Sequence, residues 1–332
     1  MGACNGCNTS SYEHPRKPIQ APAYPVKLER FEKELFEIDT THLEAGLQKM
    51  QAKYGLFYTS YANDIMRMPL DANDPLFIGP MSMLLRIDRL HELQQIVDSN
   101  FNDVSDIENE LSTAMGIYHQ EFPKAAVPRF VTFISEFGNG NVIYDSMICI
   151  GLDFFMNKRF ADFYRALSIP EFRVNKMQRN YIAPNSIRAL AFGQYDYQTS
   201  KDKRFLAQMI IEGKKCYFVK ALLPQVEDTV VMGYSKSQME WCRKNELDIW
   251  THFIDKNMLY EANPGKFMRY LNDGPFTVAE DVPAESSPAI GTWIGLQIVN
   301  HYMKENPGVT LKQMMDETDF EKILKLSKYR PK

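Results

Sequence analysis

The sequence predicts an α+β domain, mostly helical, with a small mixed sheet and an edge hairpin. Three observations carry that reading. Through most of the chain apolar residues recur three or four apart, the spacing of one helix face. One stretch, residues 129–155, switches to β-branched and aromatic residues around Gly138-Asn139-Gly140-Asn141, a hairpin-type turn signal. Residues 181–218, YIAPNSIRALAFGQYDYQTSKDKRFLAQMIIEGKKCYF, read as two helices joined by a polar loop, and the rest of the chain is arranged around them.

Composition narrows the possible functions. At 332 residues and 45% apolar, the chain can bury an ample core without help from metal or disulfides. Its net charge of −4, with Lys and Arg scattered, gives no electrostatic footprint for nucleic acid. No apolar run reaches the roughly eighteen residues that a membrane-spanning helix needs. Five cysteines make an odd count without zinc-ribbon spacing. Cys149, Cys216 and Cys242 lie in apolar or amphipathic segments and read as small core residues.

In chain order, Met1-Gly2-Ala3-Cys4 fits the last four positions of a bacterial lipoprotein box, in which Cys4 receives the lipid; the competing reading is an ordinary exposed cysteine in a floppy tail. The apolar stretch that precedes such a box is expected upstream of Met1. Gly2 also suggests myristoylation, but Gly6 stands where Ser or Thr is wanted. Residues 8–25 are proline-rich and too poor in aliphatics to fold, so they read as an extended spacer; about eighteen residues at roughly 3.1 Å each reach ~55 Å. The domain plan is therefore 1–24, lipid anchor and disordered spacer, then 25–332, one folded domain beginning at Pro25.

Val26, Leu28 and Phe31 alternate with charged residues, as in a strand or extended arm, before Leu35 and Phe36 shift to helical spacing. Leu43, Leu47, Met50 and Tyr54 mark an amphipathic helix capped by Thr40 or Thr41 and stopped at Gly55. Further helices are expected near 74–101 and 104–122. In the first of these, His91-Glu92-Leu93-Gln94-Gln95 gives four letters of the five-letter zinc-peptidase signature, lacks the second imidazole, and reads as a solvated helix face. His42, His119, His252 and His301 have no His or Glu four residues away.

After Pro128, RFVTFISEF and NVIYDSMICIGLDFF read as two strands joined through 138–141, a hairpin that is either plainly structural or, by likeness to the zincin fold, a sheet edge that accepts an extra strand. Helical signals return around 158–167. Beyond Phe218, Ser235 caps a helix with Met239, Cys242, Leu247, Trp250 and Phe253 in register, its two tryptophans reading as core anchors. Residues 264–288 are loop-rich. Gly291 and Gly295, four apart in an apolar helix, would let another backbone approach closely.

The strings VKLERFEKELF, RFVTFISEF, VIYDSMICIGLDFFM, LAQMIIEGKKCYF, MGYSKSQMEWCRKNELDIW, SPAIGTWIGLQIVNHYM and LSKYRPK give the chain, essentially throughout after the spacer, a sequence that resembles the gliding-motility lipoprotein GldB family. That resemblance implies an N-terminally lipidated, periplasm-facing envelope protein associated with gliding and its secretion machinery. Its partners would be other envelope or secretion proteins and the membrane through the lipid.

A more distant likeness, through 184–212 and 291–302, is to zincin peptidases. There the first helix presents His-Glu-x-x-His and a Glu on the following helix completes the zinc site. Position by position, Asn185 and Ala189 take the imidazoles' places, Ser186 that of the general base, and Glu212 that of the third ligand. The likeness thus implies a zincin-like scaffold with a degenerate site, no bound metal and no cofactor. Arg188 is expected to pair with Glu212, to bind a carboxylate, or to be an exposed helix arginine. The function implied is a non-catalytic, lipid-anchored binding or scaffold protein. The alternative is a metal-dependent hydrolase around Glu212 with ligands such as His252 or His301, and a third reading is a cytoplasmic interaction module.

Overall fold

Val26 and Leu28 are buried while Lys27 and Glu29 alternate with them, and this two-residue period makes Leu28–Arg30 a strand, β1. At Phe31 the apolar spacing changes to helical, and Phe31, Leu35 and the helix they lie on, α1 (Phe31–Phe36), turn inward. The computed structural model describes residues 17–69, 71–157, 160–195, 200–280 and 282–332. Cys4 and Cys7 lie outside the described residues.

Five helices follow: α2 (Leu43–Tyr54), α3 (Leu56–Ser60), α4 (Ile78–Leu84), α5 (Asp88–Asn100) and α6 (Ser105–Glu121). The turn entering α2 is capped not by a threonine but by Asp39, whose carboxylate accepts from Thr41 N at 2.9 Å. Gly55 does end α2, with φ +53°. The strands β2 (Arg129–Phe133), β3 (Asn141–Tyr144) and β4 (Met147–Gly151) complete a four-stranded mixed sheet of order β1-β2-β4-β3. β1, β2 and β4 are mutually parallel and β3 is antiparallel to β4.

The sheet thus has an edge hairpin, at a different place from the one expected. The turn is Asp145-Ser146, with Asp145 at φ +53°, and 138–141 instead leads into β3 along the sheet's border. The run NVIYDSMICIGLDFF had offered no glycine at the true turn; Asp tolerates the left-handed backbone and supplies it.

Both faces of the sheet are covered. Phe130, Ile148 and Ile150 join the larger core, whereas Val131, Phe133, Met147 and Cys149 join a second one built with α1–α4. Above the larger core lie α7 (Ala161–Ala166), α8 (Glu171–Val174), α9 (Ile182–Gln194), α10 (Phe205–Leu222), α11 (Asp228–Met232), α12 (Lys236–Lys244), α13 (Glu246–Asp255), α14 (Pro264–Phe267), α15 (Ile290–Glu305), α16 (Leu311–Asp316) and α17 (Phe320–Ser327). Ser235 caps α12 in a capping box with Gln238. The expected single register from Met239 to Phe253 breaks at Asn245, whose Nδ2 turns back to Trp241 O at 2.7 Å. Leu247 is therefore exposed and Trp250 half-buried.

At the centre α10 crosses α15 backbone to backbone. A Cβ on Gly213 would stand 2.2 Å from Gly295 C, and one on Gly295 would stand 1.8 Å from Met209 O; of the expected pair, Gly295 makes this close approach, while Gly291 instead faces Tyr270 O, at 2.9 Å from its Cβ position. Cys149, Cys216 and Cys242 are buried free thiols, as expected of small core residues.

Part of the spacer is not a spacer. Residues 17–24 lie along α6: Tyr24 N donates to Ser112 O at 2.9 Å, and a Cβ on Gly116 would stand 2.1 Å from Pro22 O. Ile19 and Ala21 rest on the core. Proline's extended backbone suits a groove over a glycine as well as it suits solvent, so composition alone assigned this strap to the wrong class.

Candidate functional site

α9 lies beneath the edge strand. Ser186, fully buried, donates its hydroxyl to Ile182 O at 2.8 Å and accepts from Asn141 Nδ2 of β3 at 3.1 Å. Two turns further along the same face, a Cβ on Gly193 would stand 2.9 Å from Ile143 Cδ1. The opposite side of α9 faces α10 and α11. There Arg188 donates to Val231 O and reaches Cys216 Sγ at 3.5 Å.

Between those sides runs the row Asn185, Ala189 and Phe192, spaced four and three apart; the first two are half-buried and Phe192 is 39% exposed. Glu212 joins this row through Lys215, whose Nζ lies 2.6 Å from Glu212 Oε1 and 4.9 Å from the Phe192 ring centroid. The structure therefore brings the sequence-selected residues of α9 and α10 onto adjoining helices. Arg188 is not an exposed helix arginine, and the carboxylate of Glu212 is engaged by Lys215.

The donor set is poor in metal ligands. Ala189 offers no donor atom, and the Ser186 hydroxyl is spent inside its own helix. His252 turns its Nε2 to Tyr270 OH at 3.2 Å, and His301 packs edge-on against Tyr329, its pKa lowered by burial and by Lys304. His91 is not on a solvated face: its Nε2 lies 2.7 Å from Leu85 O and its ring packs against Phe36. Among the described residues no group of three or more His, Cys, Asp and Glu side chains is placed to hold a metal ion.

The backbone of β3 offers more. Its two-residue turn pairs Tyr144 with Met147, and Gly151 N donates to Gly140 O at 2.6 Å. Antiparallel partners alternate between hydrogen-bonded and non-bonded pairs. Gly140, Val142 and Tyr144 therefore bond inward to β4, and the N–H and C=O groups of Asn141 and Ile143 point away from the sheet. Neither backbone has another partner among the described residues. All of β3 is half-buried, so this is an accessible edge beside the Asn185–Ala189–Phe192 row.

Sequence reasoning missed several buried charges, two at the carboxyl ends of the parallel strands and one in α10. Glu32, fully buried, accepts from Thr132 Oγ1 at 2.7 Å and pairs with Arg30; burial pushes its pKa up against both partners. Asp153, also fully buried, accepts from Ser135 N at 3.0 Å and Phe137 N at 2.7 Å, holding a loop in which Glu136 and Phe137 both have positive φ. Its Oδ1 has no partner among the described residues, and burial pushes its pKa up to about 6. Lys214, in the middle of α10, donates to Met315 O at 3.3 Å and to Glu317 O, and burial pushes its pKa down to about 7. The signal for Asp153 was available, since it is a lone charge inside the apolar run ICIGLDFF; Lys214 shares its run, MIIEGKKCYFV, with Glu212 and Lys215 and does not stand out.

A family model described as gliding motility protein GldB matches residues 13–331. Comparisons with curated proteins and with solved structures returned no match.

Proposed function

The chain belongs to the gliding motility protein GldB family, and from that premise we propose a non-catalytic, lipid-anchored, periplasm-facing envelope protein. Its sheet edge receives an extended segment of another component of the motility or secretion machinery. One observation carries the binding half: at Asn141 and Ile143, β3 presents backbone N–H and C=O groups that have no partner among the described residues, beside a floor of Asn185, Ala189 and Phe192. An incoming strand would bond to those two residues and set alternate side chains on that floor.

The non-catalytic half is supported by the same floor. Where a zincin places two imidazoles and a base, this chain has Asn185, Ala189 and Ser186, and the Glu212 carboxylate is neutralised by Lys215. A zincin-like layout is supported by α9 lying beneath an edge strand with α10 beside it. Lipid anchoring is supported by Cys4 in its small-residue box and by the family.

A photo-crosslinking side chain at Asp145, exposed at the end of β3, is expected to capture a partner in cells. Ile143→Pro removes an outward N–H without touching the ladder, so capture is lost while the melting temperature stays within a few degrees. Capture that survives Ile143→Pro contradicts the edge. For the anchor, Cys4→Ala moves the protein from membrane to soluble fraction; unchanged fractionation contradicts it. About one equivalent of zinc retained through chelator-free purification and lost in Glu212→Ala would favour the hydrolase instead.

A further inference from the structure

Lysine and arginine are scattered along the sequence, yet the fold gathers several at one end of the molecule. There α15 and α17 finish side by side: Asn306 Nδ2 donates to Leu326 O at 3.2 Å, and Lys328 Nζ lies 2.9 Å from Glu305 Oε2. Residues 325–332, KLSKYRPK, hold four Lys and Arg and no Asp or Glu, in a protein whose net charge is −4.

The turn that carries them is fixed. Lys328 takes φ +50°, Tyr329 N donates to Ser327 Oγ at 3.1 Å, and Tyr329 OH donates to Glu246 Oε1 at 2.9 Å. The buried Tyr329 ring packs edge-on against Trp250 and His301. Lys325, Leu326, Lys328, Arg330 and Lys332 stand exposed around it, with Lys304 at the end of α15.

What is already paired decides the sign of this surface. Every carboxylate side chain between residues 301 and 332 is engaged: Glu305 by Lys328, Asp316 by Lys312, Glu317 by Lys322, Glu321 by Arg204, and Asp319 as the cap that receives Lys322 N. Lys304, Lys325, Arg330 and Lys332 form no ion pair among the described residues. The two helix ends offset only about half a charge each, so most of the positive surplus remains.

Lys17 adds a further exposed cation. It lines a cavity of about 270 Å³ together with Pro307 and Gly308 of the loop that follows α15, so the strap begins at this same end. Cys4 lies thirteen residues before Lys17, a reach of at most about 45 Å. On the reading that Cys4 carries a lipid, this is the end tethered to the bilayer.

We propose that the ends of α15 and α17, with the KLSKYRPK turn and Lys17, dock against anionic phospholipid headgroups as a second membrane contact beside the lipid. The positive surplus selects an anionic partner, and the tether selects the membrane, because it confines this surface near one. Each exposed Lys or Arg close to an anionic bilayer adds an attraction that decays within a Debye length, about 8 Å at physiological salt. Leu326, 38% exposed among the lysines, is placed to enter the interfacial layer.

The test floats the full chain carrying Cys4→Ala, which has no lipid, with vesicles of about one-third phosphatidylglycerol in phosphatidylcholine and with phosphatidylcholine alone, at about 50 mM salt. Flotation with the anionic vesicles only, lost at about 0.5 M salt, is expected. Lys325→Gln, Arg330→Gln and Lys332→Gln together, at three exposed positions, should weaken it at least tenfold at unchanged melting temperature. Lys49→Gln, Arg86→Gln and Lys236→Gln, also exposed, change the net charge equally and should leave it within about twofold. No flotation with anionic vesicles, equal flotation with neutral ones, or equal loss in the two triple variants overturns the proposal. So does release by inorganic phosphate at constant ionic strength, which would mean a phosphate site rather than a lipid surface. Because the protein assayed carries no lipid, this outcome is independent of the Cys4 fractionation: the patch alone holds weakly, and a salt wash frees it.

Discussion

Replacing Asp153 by Asn should change stability in a pH-dependent way whose sign the structure fixes. The carboxyl is fully buried, accepts two backbone N–H groups and has a bare Oδ1, and burial raises its pKa from 3.8 to about 6. The folded state therefore holds this proton more tightly than the unfolded state. Its contribution to stability is fully present below about pH 4 and is lost as pH rises through about 6. Two pKa units at ~1.4 kcal/mol each make the loss ~3 kcal/mol at pH 7.5. Asn keeps an oxygen for Ser135 N and Phe137 N and cannot ionise. Relative to the parent chain, the variant should thus gain ~3 kcal/mol on going from pH 3.5 to pH 7.5. Urea unfolding at both pH values measures this as a difference of differences, in which the other carboxylates cancel. A stability difference that is the same at both pH values would refute the account of Asp153 as a buried charge held at a cost.

Two further perturbations probe the scaffold. Gly295→Ala drives a methyl group into Met209 O and should destabilise by about 3 kcal/mol or abolish soluble expression, because the overlap outweighs the ~1 kcal/mol of helix propensity gained. Gly308→Ala, with nothing within 4 Å, should be neutral in the same melting assay. Lys214 carries the opposite pH sign to Asp153: its pKa is depressed to about 7, so the folded state sheds the proton first and stability rises with pH between about 7 and 10.5. Lys214→Met, which strands the carbonyls of Met315 and Glu317, should therefore cost ~3 kcal/mol more at pH 9 than at pH 7, as read by chemical unfolding; a constant cost contradicts the depressed pKa.

What was legible in the sequence is what short-range periodicity controls. The helical register of Leu47, Met50 and Tyr54, the stop at Gly55, the cap at Ser235 and the Gly295 crossing all follow from spacing and from the properties of single residues. Strand pairing is a long-range choice, and there the reading failed in detail. β1 joins β2 across about a hundred residues of helix, and an Asp-Ser turn made the hairpin where no glycine announced one. The strap over α6 was hidden for a related reason, since its partner Gly116 lies far away in sequence. At the candidate site, the row of Asn185 and Ala189 was legible from helical geometry. The engagement of Glu212 by Lys215 and the reach of Arg188 to Val231 were not, because each depends on how neighbouring helices are set.

The edge of β3 is open to direct measurement without any partner, by residue-resolved hydrogen exchange on the isolated chain. The amides of Val142 and Tyr144, bonded to β4, should be protected, while those of Asn141 and Ile143 should exchange at least about tenfold faster. Comparable protection at all four positions would mean the edge is already satisfied within the fold, and no other strand could dock there.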